Sequence, residues 1–445
     1  MLGSPFIPND EFLPLCLRAL SGQFIVATMT LTISRGVRTV ETHRTRPRLL
    51  GIEGLRGIAA ASVLIYHVQG VLSPASASGL FHFVQNFSQG VTLFFVLSGF
   101  LLFLPFARAL LGLTAPPRLR SYFLGRTLRI MPAYLCVLML TSLVLKMAWL
   151  PRDVDGSPTR FGTMSWFDTL TAGLLVQGYS PRTVRSGLEV AWTLGVEVAF
   201  YVLLPFLVWI ASRFAGRLSN SVSVALIPAV VLLLAGTGGK LWWAQHSHLA
   251  GSGHPNLEWG ANWSTVVARS IVMHADLFAY GMIVAVIFAL IEASPRYSVM
   301  FRPWRLAVLV GAATLGILWL SHIVHGIFTD SVVALACCLV LLALVTGSPR
   351  GALARRLESP WLKTLGTLSF SIYLWHLPVL RWLQHNDLVL PNTVGGFLGN
   401  AVLVGAITLP LAALTHRFIE APALRLRGRG SAKASRSLAF GLARQ

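Results

Sequence analysis

Ten apolar runs punctuate the chain, at 52–72, 90–111, 130–150, 190–211, 221–243, 266–291, 305–326, 330–347, 363–384 and 394–416. Each comes close to the ~20 residues that carry a helix across ~30 Å of hydrocarbon. Lipid offers no hydrogen-bond partner, so a spanning segment must satisfy its own peptide groups. Open sheets and irregular spans are therefore excluded. The sequence predicts an all-α polytopic membrane protein of about ten transmembrane helices in one bundle. Composition agrees: 55% of the residues are hydrophobic and 12% charged, against about 25% charged in soluble domains.

The net charge of +20 would suggest nucleic acid if the chain were soluble. The basic residues, however, gather at alternate connections. One set holds Arg35, Arg38, Arg44, Arg46, Arg48 and Arg56, then Arg108, Arg118, Arg120, Arg126 and Arg129, then Arg213 and Arg217. The same set continues with Arg296, Arg302, Arg305, Arg350, Arg355, Arg356, Lys363 and a tail from Arg417 to Arg444. The other set holds Arg152, Arg160, Arg182 and Arg185, with Lys240, Arg269 and Arg381 near span ends. Basic loops stay in the cytoplasm, so both ends of the core are expected there, facing anionic lipid. No nucleic-acid partner is needed to explain the charge.

Residues 49–422 form one expected domain, between an unassigned extension at 1–48 and a basic cytoplasmic tail at 423–445. The extension opens on Asp10 and Glu11 rather than a basic stretch, unlike a secretory leader. The tail leaves no room for a soluble catalytic domain, so chemistry is expected within the membrane core or at its faces. Cys16, Cys136, Cys337 and Cys338 lack zinc-like spacing and read as small apolar filler.

Two long connections on the less basic side carry aromatic and polar residues. The first includes Asp153, Asp155, Trp166, Asp168, Gln177, Tyr179 and Arg182; the second includes His246, His248, His254, Glu258, Trp259, Asn262 and Trp263. A sugar platform and an interfacial aromatic belt fit them equally. The histidines are a weak case for a metal, and no metal is assigned.

Ionisable residues inside spans are costly and usually face a cavity or pathway. Arg56 and His67 lie eleven residues apart in the first run. At ~100° and ~1.5 Å per residue they share a face, ~16 Å apart along the axis. Glu53 falls within about 40° of that face. Ser98-Gly99 in the second run permits close helix approach. Glu197, with Tyr201 one turn on, is an intramembrane carboxylate suited to a buried network. Ser369, Tyr373 and His376 share a face of the ninth run. Arg126 and Arg129, one turn apart before the third run, have the geometry of a phosphate clamp as well as of a membrane anchor. An imidazole that exchanges protons near neutral pH, above a permanent guanidinium, suits acyl transfer to a hydroxyl.

The run Gly51-Ile52-Glu53-Gly54-Leu55-Arg56-Gly57-Ile58-Ala59-Ala60, followed by Tyr66-His67, resembles the opening motif of the membrane acyltransferase-3 family. Further similarities follow in family order: Gly90 to Phe100, Arg126 with Arg129, Trp192-Thr193-Leu194 with Glu197 and Tyr201, Leu368 to His376, and Phe418-Ile419-Glu420. The resemblance implies a ten-span, multi-pass acyltransferase of the bacterial inner membrane. It implies acyl-CoA, commonly acetyl-CoA, as donor substrate with no bound cofactor, and a carbohydrate, glycolipid or macrolide-type hydroxyl as acceptor. It further implies His67 as the catalytic residue, Arg56 as required, and Arg126 and Arg129 as acyl-CoA contacts. Glu53, Ser98, Glu197, Tyr201, Ser369, Tyr373 and His376 are supporting candidates. Two departures stand out: Glu53 replaces the family's usual Asp, and Ala421 stands where the terminal motif often has Arg. No SGNH-type domain is expected in this chain, so any such partner would be a separate protein. The competing class is a transporter or flippase of a glycolipid or sugar, using the same buried charges without consuming a donor.

Overall fold

The computed structural model describes residues 49–72, 83–150, 161–215, 220–246, 260–294, 304–320, 326–347 and 351–426. The extension at 1–48, the tail beyond 426, and Asp153, Asp155, His248, His254, Glu258 and Trp259 lie outside the described residues. Every expected span contains a helix. These are α1 (Ile52–Leu72), α2 (Gly90–Leu110), α3 (Leu119–Met139), α5 (Ala191–Arg213), α6 (Ser221–His246), α8 (Ile271–Ala293), α9 (Trp304–Leu320), α10 (Thr329–Val345), α12 (Pro360–His385) and α13 (Val394–Thr415). Shorter helices α4 (Trp166–Gly173), α7 (Trp263–Ala268) and α11 (Ala352–Leu357) lie between them. Among the described residues, seven continuous helices are long and apolar enough to cross a membrane. The other three fall short for local reasons: α9 and α10 are brief, and α12 carries Lys363, His376, Arg381 and His385. The protein is an integral membrane protein. Among the described residues, a short antiparallel ribbon pairs Ala148–Trp149 with Phe161–Gly162, and Trp149 also bridges Gly187.

Glycines let two helix pairs meet backbone to backbone. A Cβ at Gly99 would lie 2.1 Å from Phe278 O, and one at Gly281 2.0 Å from Val96 O, so α2 and α8 interlock from both sides. On the α1–α12 seam, a Cβ at Gly366 would lie 1.8 Å from Glu53 O and one at Gly57 2.7 Å from Leu362 O. Small residues at a crossing replace the hydrophobic drive that lipid cannot supply. Around these seams Phe100, Phe103, Tyr134, Phe200 and Phe278 are fully buried, with Phe200 stacked on Phe278 at 4.2 Å. Outward apolar side chains such as Val202 and Phe206 on α5 and Leu398 and Val402 on α13 remain exposed, the pattern of a lipid-facing surface.

One boundary corrects the sequence reading. The third span was expected from 130, with Arg126 and Arg129 ahead of it. Helix α3 instead starts at Leu119 and places both arginines inside the helix. The start follows Pro116-Pro117, which lack N–H donors and bias preceding residues away from the helix. The helix then ends in a π-helical turn, Leu140–Val144, before the ribbon.

The terminal Phe418-Ile419-Glu420 motif has a structural role despite Ala421. Helix α13 passes into a π-helical turn, His416–Glu420, where buried Glu420 accepts a short hydrogen bond from Ser371 Oγ on α12. One turn away Trp375 Nε1 donates to Thr415 Oγ1 at 2.8 Å. These contacts pin α13 to the helix carrying Ser369, Tyr373 and His376.

Candidate active site

Two cavities meet inside the bundle. The larger, about 920 Å³, is lined by Tyr66, His67, Gln89, Thr92, Trp149, Arg185, Glu189, Trp192, Lys240, Trp243, Arg269, His274, Asp330 and Arg381, among others. The smaller, about 100 Å³, is lined by Arg56, Ser98, Arg126, Arg129, Glu197, Tyr201 and Ser369 with apolar neighbours. Val91, Phe95 and Tyr373 line both. The residues singled out in sequence are therefore distributed: Arg56 and both α3 arginines on one side of this shared wall, His67 on the other.

Helix α12 joins the two sides because it runs beside α1 in the same direction. Arg56 Nη2 donates to Ser369 Oγ at 3.2 Å, and His67 Nδ1 lies 3.2 Å from His376 Nε2. The His67 ring is also held by its own helix, with Nδ1 2.9 Å from Val63 O. A carbonyl oxygen can only accept, so that contact puts the proton on Nδ1. The other nitrogen, Nε2, then carries a lone pair, and among the described residues it has no hydrogen-bond partner. Tyr66 packs edge-on against the imidazole at 5.0 Å.

Across the wall, Ser98 Oγ donates to Glu197 Oε1 at 2.7 Å, tying α2 to α5. The Tyr373 hydroxyl lies 2.7 Å from Thr193 Oγ1 and donates to Val190 O at 3.2 Å. Tyr373 is thus fixed to the start of α5 where the cavities touch. Glu53 shares α1 with Arg56 but lines neither cavity; its backbone carbonyl packs on Gly366.

Sequence reasoning missed much of the larger cavity. His274 stands edge-on to Phe95 and Trp192, at 5.7 and 5.3 Å, and its Nδ1 contacts Ser270 O. Lys240 is buried with its Nζ 2.6 Å from Asp276 Oδ2 and 2.7 Å from Ser331 Oγ. Gln89 bridges Thr92 and Asp330. The available signal was the one used for Arg56 and His67: ionisable residues within an apolar run. The long connections contribute to the site unevenly. Trp166 and Tyr179 are exposed, and Asp168 caps α4 with Ser165, while Arg381 clamps Glu189 through two contacts of 2.8 and 3.1 Å.

Chemically, the arrangement offers a cavity-facing imidazole, a wall shared by the two cavities, and three guanidinium groups behind it. No solved structure matches the chain. Among curated proteins it is 23% identical over 402 residues to the peptidoglycan O-acetyltransferase OatA of Listeria monocytogenes, covering 86% of this chain and 56% of that protein. It is 26% identical to the acyltransferase MdmB of Streptomyces mycarofaciens, covering 86% of this chain and 93% of the relative. It is 28% identical to nodulation protein 10 of Rhizobium leguminosarum, covering 84% and 92%. The chain thus spans little more than half the length of the Listeria relative. The acyltransferase-3 profile, described as an acyltransferase domain, matches residues 49–417, and the chain belongs to that family.

Proposed function

We propose that the protein transfers an acyl group, in the first instance acetyl, from cytoplasmic acyl-CoA to a hydroxyl of a carbohydrate or sugar-bearing acceptor. The reading rests on one observation above the rest: Val91, Phe95 and Tyr373 separate a three-arginine pocket from the cavity holding His67. In this scheme Arg126, Arg129 and Arg56 meet the phosphates of the donor, for which guanidinium forks are suited. The pantetheine arm passes Tyr373 and presents its thioester to His67. The acceptor enters the larger cavity, whose Trp, Tyr and polar lining fits a polyhydroxylated molecule.

The chemistry then needs one proton carrier. His67 Nε2 takes the acceptor hydroxyl proton as the oxygen attacks the thioester carbonyl. The C–S bond breaks, the imidazolium returns its proton to the sulfur, and an ester and CoA thiol leave. The name of the Listeria relative supports a cell-envelope glycan as the acceptor class. The basic connections support a cytoplasmic donor side, and a bacterial inner membrane location follows from the same reading.

The test uses full-length protein in lipid nanodiscs with labelled acetyl-CoA and a panel of a peptidoglycan disaccharide, a lipid-linked glycan, a free oligosaccharide and a macrolide. Acceptor-dependent release of CoA with label transfer is expected, and is lost in a folded His67→Ala variant. Normal turnover in that variant overturns the mechanism. A transporter would release no CoA with any acceptor.

A further inference from the structure

His67 can act as a base toward the cavity only while its proton stays on Nδ1, facing away. Two groups receive that N–H. Val63 O, at 2.9 Å, belongs to the same helix and follows every movement of α1. His376 Nε2, at 3.2 Å, is contributed by α12 and is independent of it. His376 is itself held: its side chain is 1% exposed, its Nδ1 lies 3.2 Å from Ile372 O, and its ring packs 5.7 Å from that of Tyr373. The contact with Ile372 O assigns the His376 proton to Nδ1 by the same reasoning, because a carbonyl has no proton to give. Its Nε2 is then an acceptor aimed at His67 Nδ1. The reciprocal assignment, with His376 Nε2–H donating to His67, would leave Val63 O without a donor from either ring. It would also put the His67 proton on Nε2, where no base could act.

We propose that His376 is the positioning residue of His67: its Nε2 shares the Nδ1–H with Val63 O, fixes the ring and its tautomer, and accepts from the imidazolium formed during transfer. The role resembles that of a second group that orients a catalytic histidine in other enzymes, where it is a carboxylate or a carbonyl. Here a neutral imidazole does so, which suits a site in low dielectric: an ionised partner would have to be buried too. The step moves no net proton at His376. The acceptor proton arrives at His67 Nε2 and leaves from it to the thiolate, while the Nδ1–H bond persists throughout. The proposal rests on the reading of His67 as the base.

Three variants test it with the acetyl-CoA turnover assay. His376→Phe keeps a ring and removes the acceptor, and is expected to lower kcat by ~10- to 100-fold, the usual range for lost partners of this kind. KM for donor and acceptor should stay within about twofold. His376→Gln, whose carbonyl can accept the same N–H, should recover most of the loss. If the Phe variant cannot be purified folded, His376→Leu is read in its place. Wild-type kcat in the Phe or Leu variant, or a raised KM at unchanged kcat, overturns the proposal. A second measurement needs no acceptor: ¹⁵N-histidine solid-state NMR of the full chain in bilayers, with His67 signals identified by their loss in His67→Gln. A protonated Nδ1, an unprotonated Nε2 and a cross-peak between His67 Nδ1 and His376 Nε2 are expected. An Nε2–H tautomer or an absent cross-peak overturns the proposal. Failure of the base reading is separable, since it shows as normal turnover in His67→Ala; an inactive His67→Ala beside a fully active His376→Phe removes the positioning role alone.

Discussion

Replacing Gly366 by alanine should separate the two halves of the site without touching a functional side chain. The new Cβ would sit 1.8 Å from the Glu53 carbonyl oxygen, and ordinary contact begins at 3.4 Å. The obstacle is backbone, so it cannot rotate away, and α1 and α12 must part by about 1.6 Å. Overpacking of this kind costs ~1–3 kcal/mol, offset in part by the ~1 kcal/mol advantage of alanine over glycine in a helix. Stability therefore changes little. Turnover should change much, because the 3.2 Å contact between His67 Nδ1 and His376 Nε2 bridges the same two helices. A displacement near 1 Å at reacting groups costs roughly 10²-fold, so a 10- to 100-fold fall in kcat is expected with thermal unfolding shifted by only a few degrees. The control is Gly405→Ala on α13, where a Cβ meets nothing within 4 Å; it should leave turnover unchanged. Gly366→Ala protein with turnover within threefold of wild type would refute the argument that the α1–α12 seam sets the geometry of the imidazole pair.

Removing Arg126 or Arg129 as Gln should raise KM for acetyl-CoA at least tenfold, since a hydrogen bond to a charged group contributes ~1.5–3 kcal/mol. The acceptor KM should not move, and an unchanged donor KM in both variants would show that the clamp binds something else. Lys240→Met strands the fully buried Asp276 and should destabilise by ~3–5 kcal/mol, whereas Lys240→Met with Asp276→Leu should recover most of that. Thermal unfolding in detergent measures both, and a double variant no better than the single would count against a mutual ion pair. Glu420→Ala should lower the unfolding temperature by removing the partner of Ser371, while Glu420→Gln, which still accepts, should lie near wild type; equal effects would place the role of Glu420 elsewhere.

The span ends were most legible where polarity changes sharply. The expected 52–72 coincides with α1, Ile52–Leu72, and 394–416 differs from α13 by one residue. The start of α3 was hidden because Arg120, Tyr122, Arg126 and Arg129 dilute its hydropathy, although nothing in that stretch breaks a helix after Pro117. Periodicity put Ser369 and His376 on one face. It could not name the helix opposite, since the partners Arg56 and His67 lie 313 and 309 residues away. Spacing likewise placed Arg56 and His67 on one face but not in separate cavities. That separation comes from Val91, Phe95 and Tyr373; Tyr373 stood out as a site candidate, but nothing in the sequence marks the three as one wall.

The residues that break the charge pattern turn out to define the larger cavity. Lys240, Arg269 and Arg381 read in sequence as isolated cations at span ends on the side poor in them, where a simple anchor would reach into water. None does. Lys240 is 2% exposed and held by Asp276 and Ser331; Arg381 is held by Glu189; Arg269 lies over the Trp192 ring at 4.9 Å. Arg185, from the neighbouring connection, lies 3.9 Å over Trp149. Each cation is fixed by a carboxylate or an aromatic face contributed by another element, a cost in desolvation and ordering that a surface anchor does not carry. Such residues hold several helices and one connection around a space that keeps many polar groups within an apolar bundle. A wall of this kind favours water and hydroxyl groups over an acyl chain, which fits an acceptor entering beside His67 and leaves the donor's side to the smaller pocket.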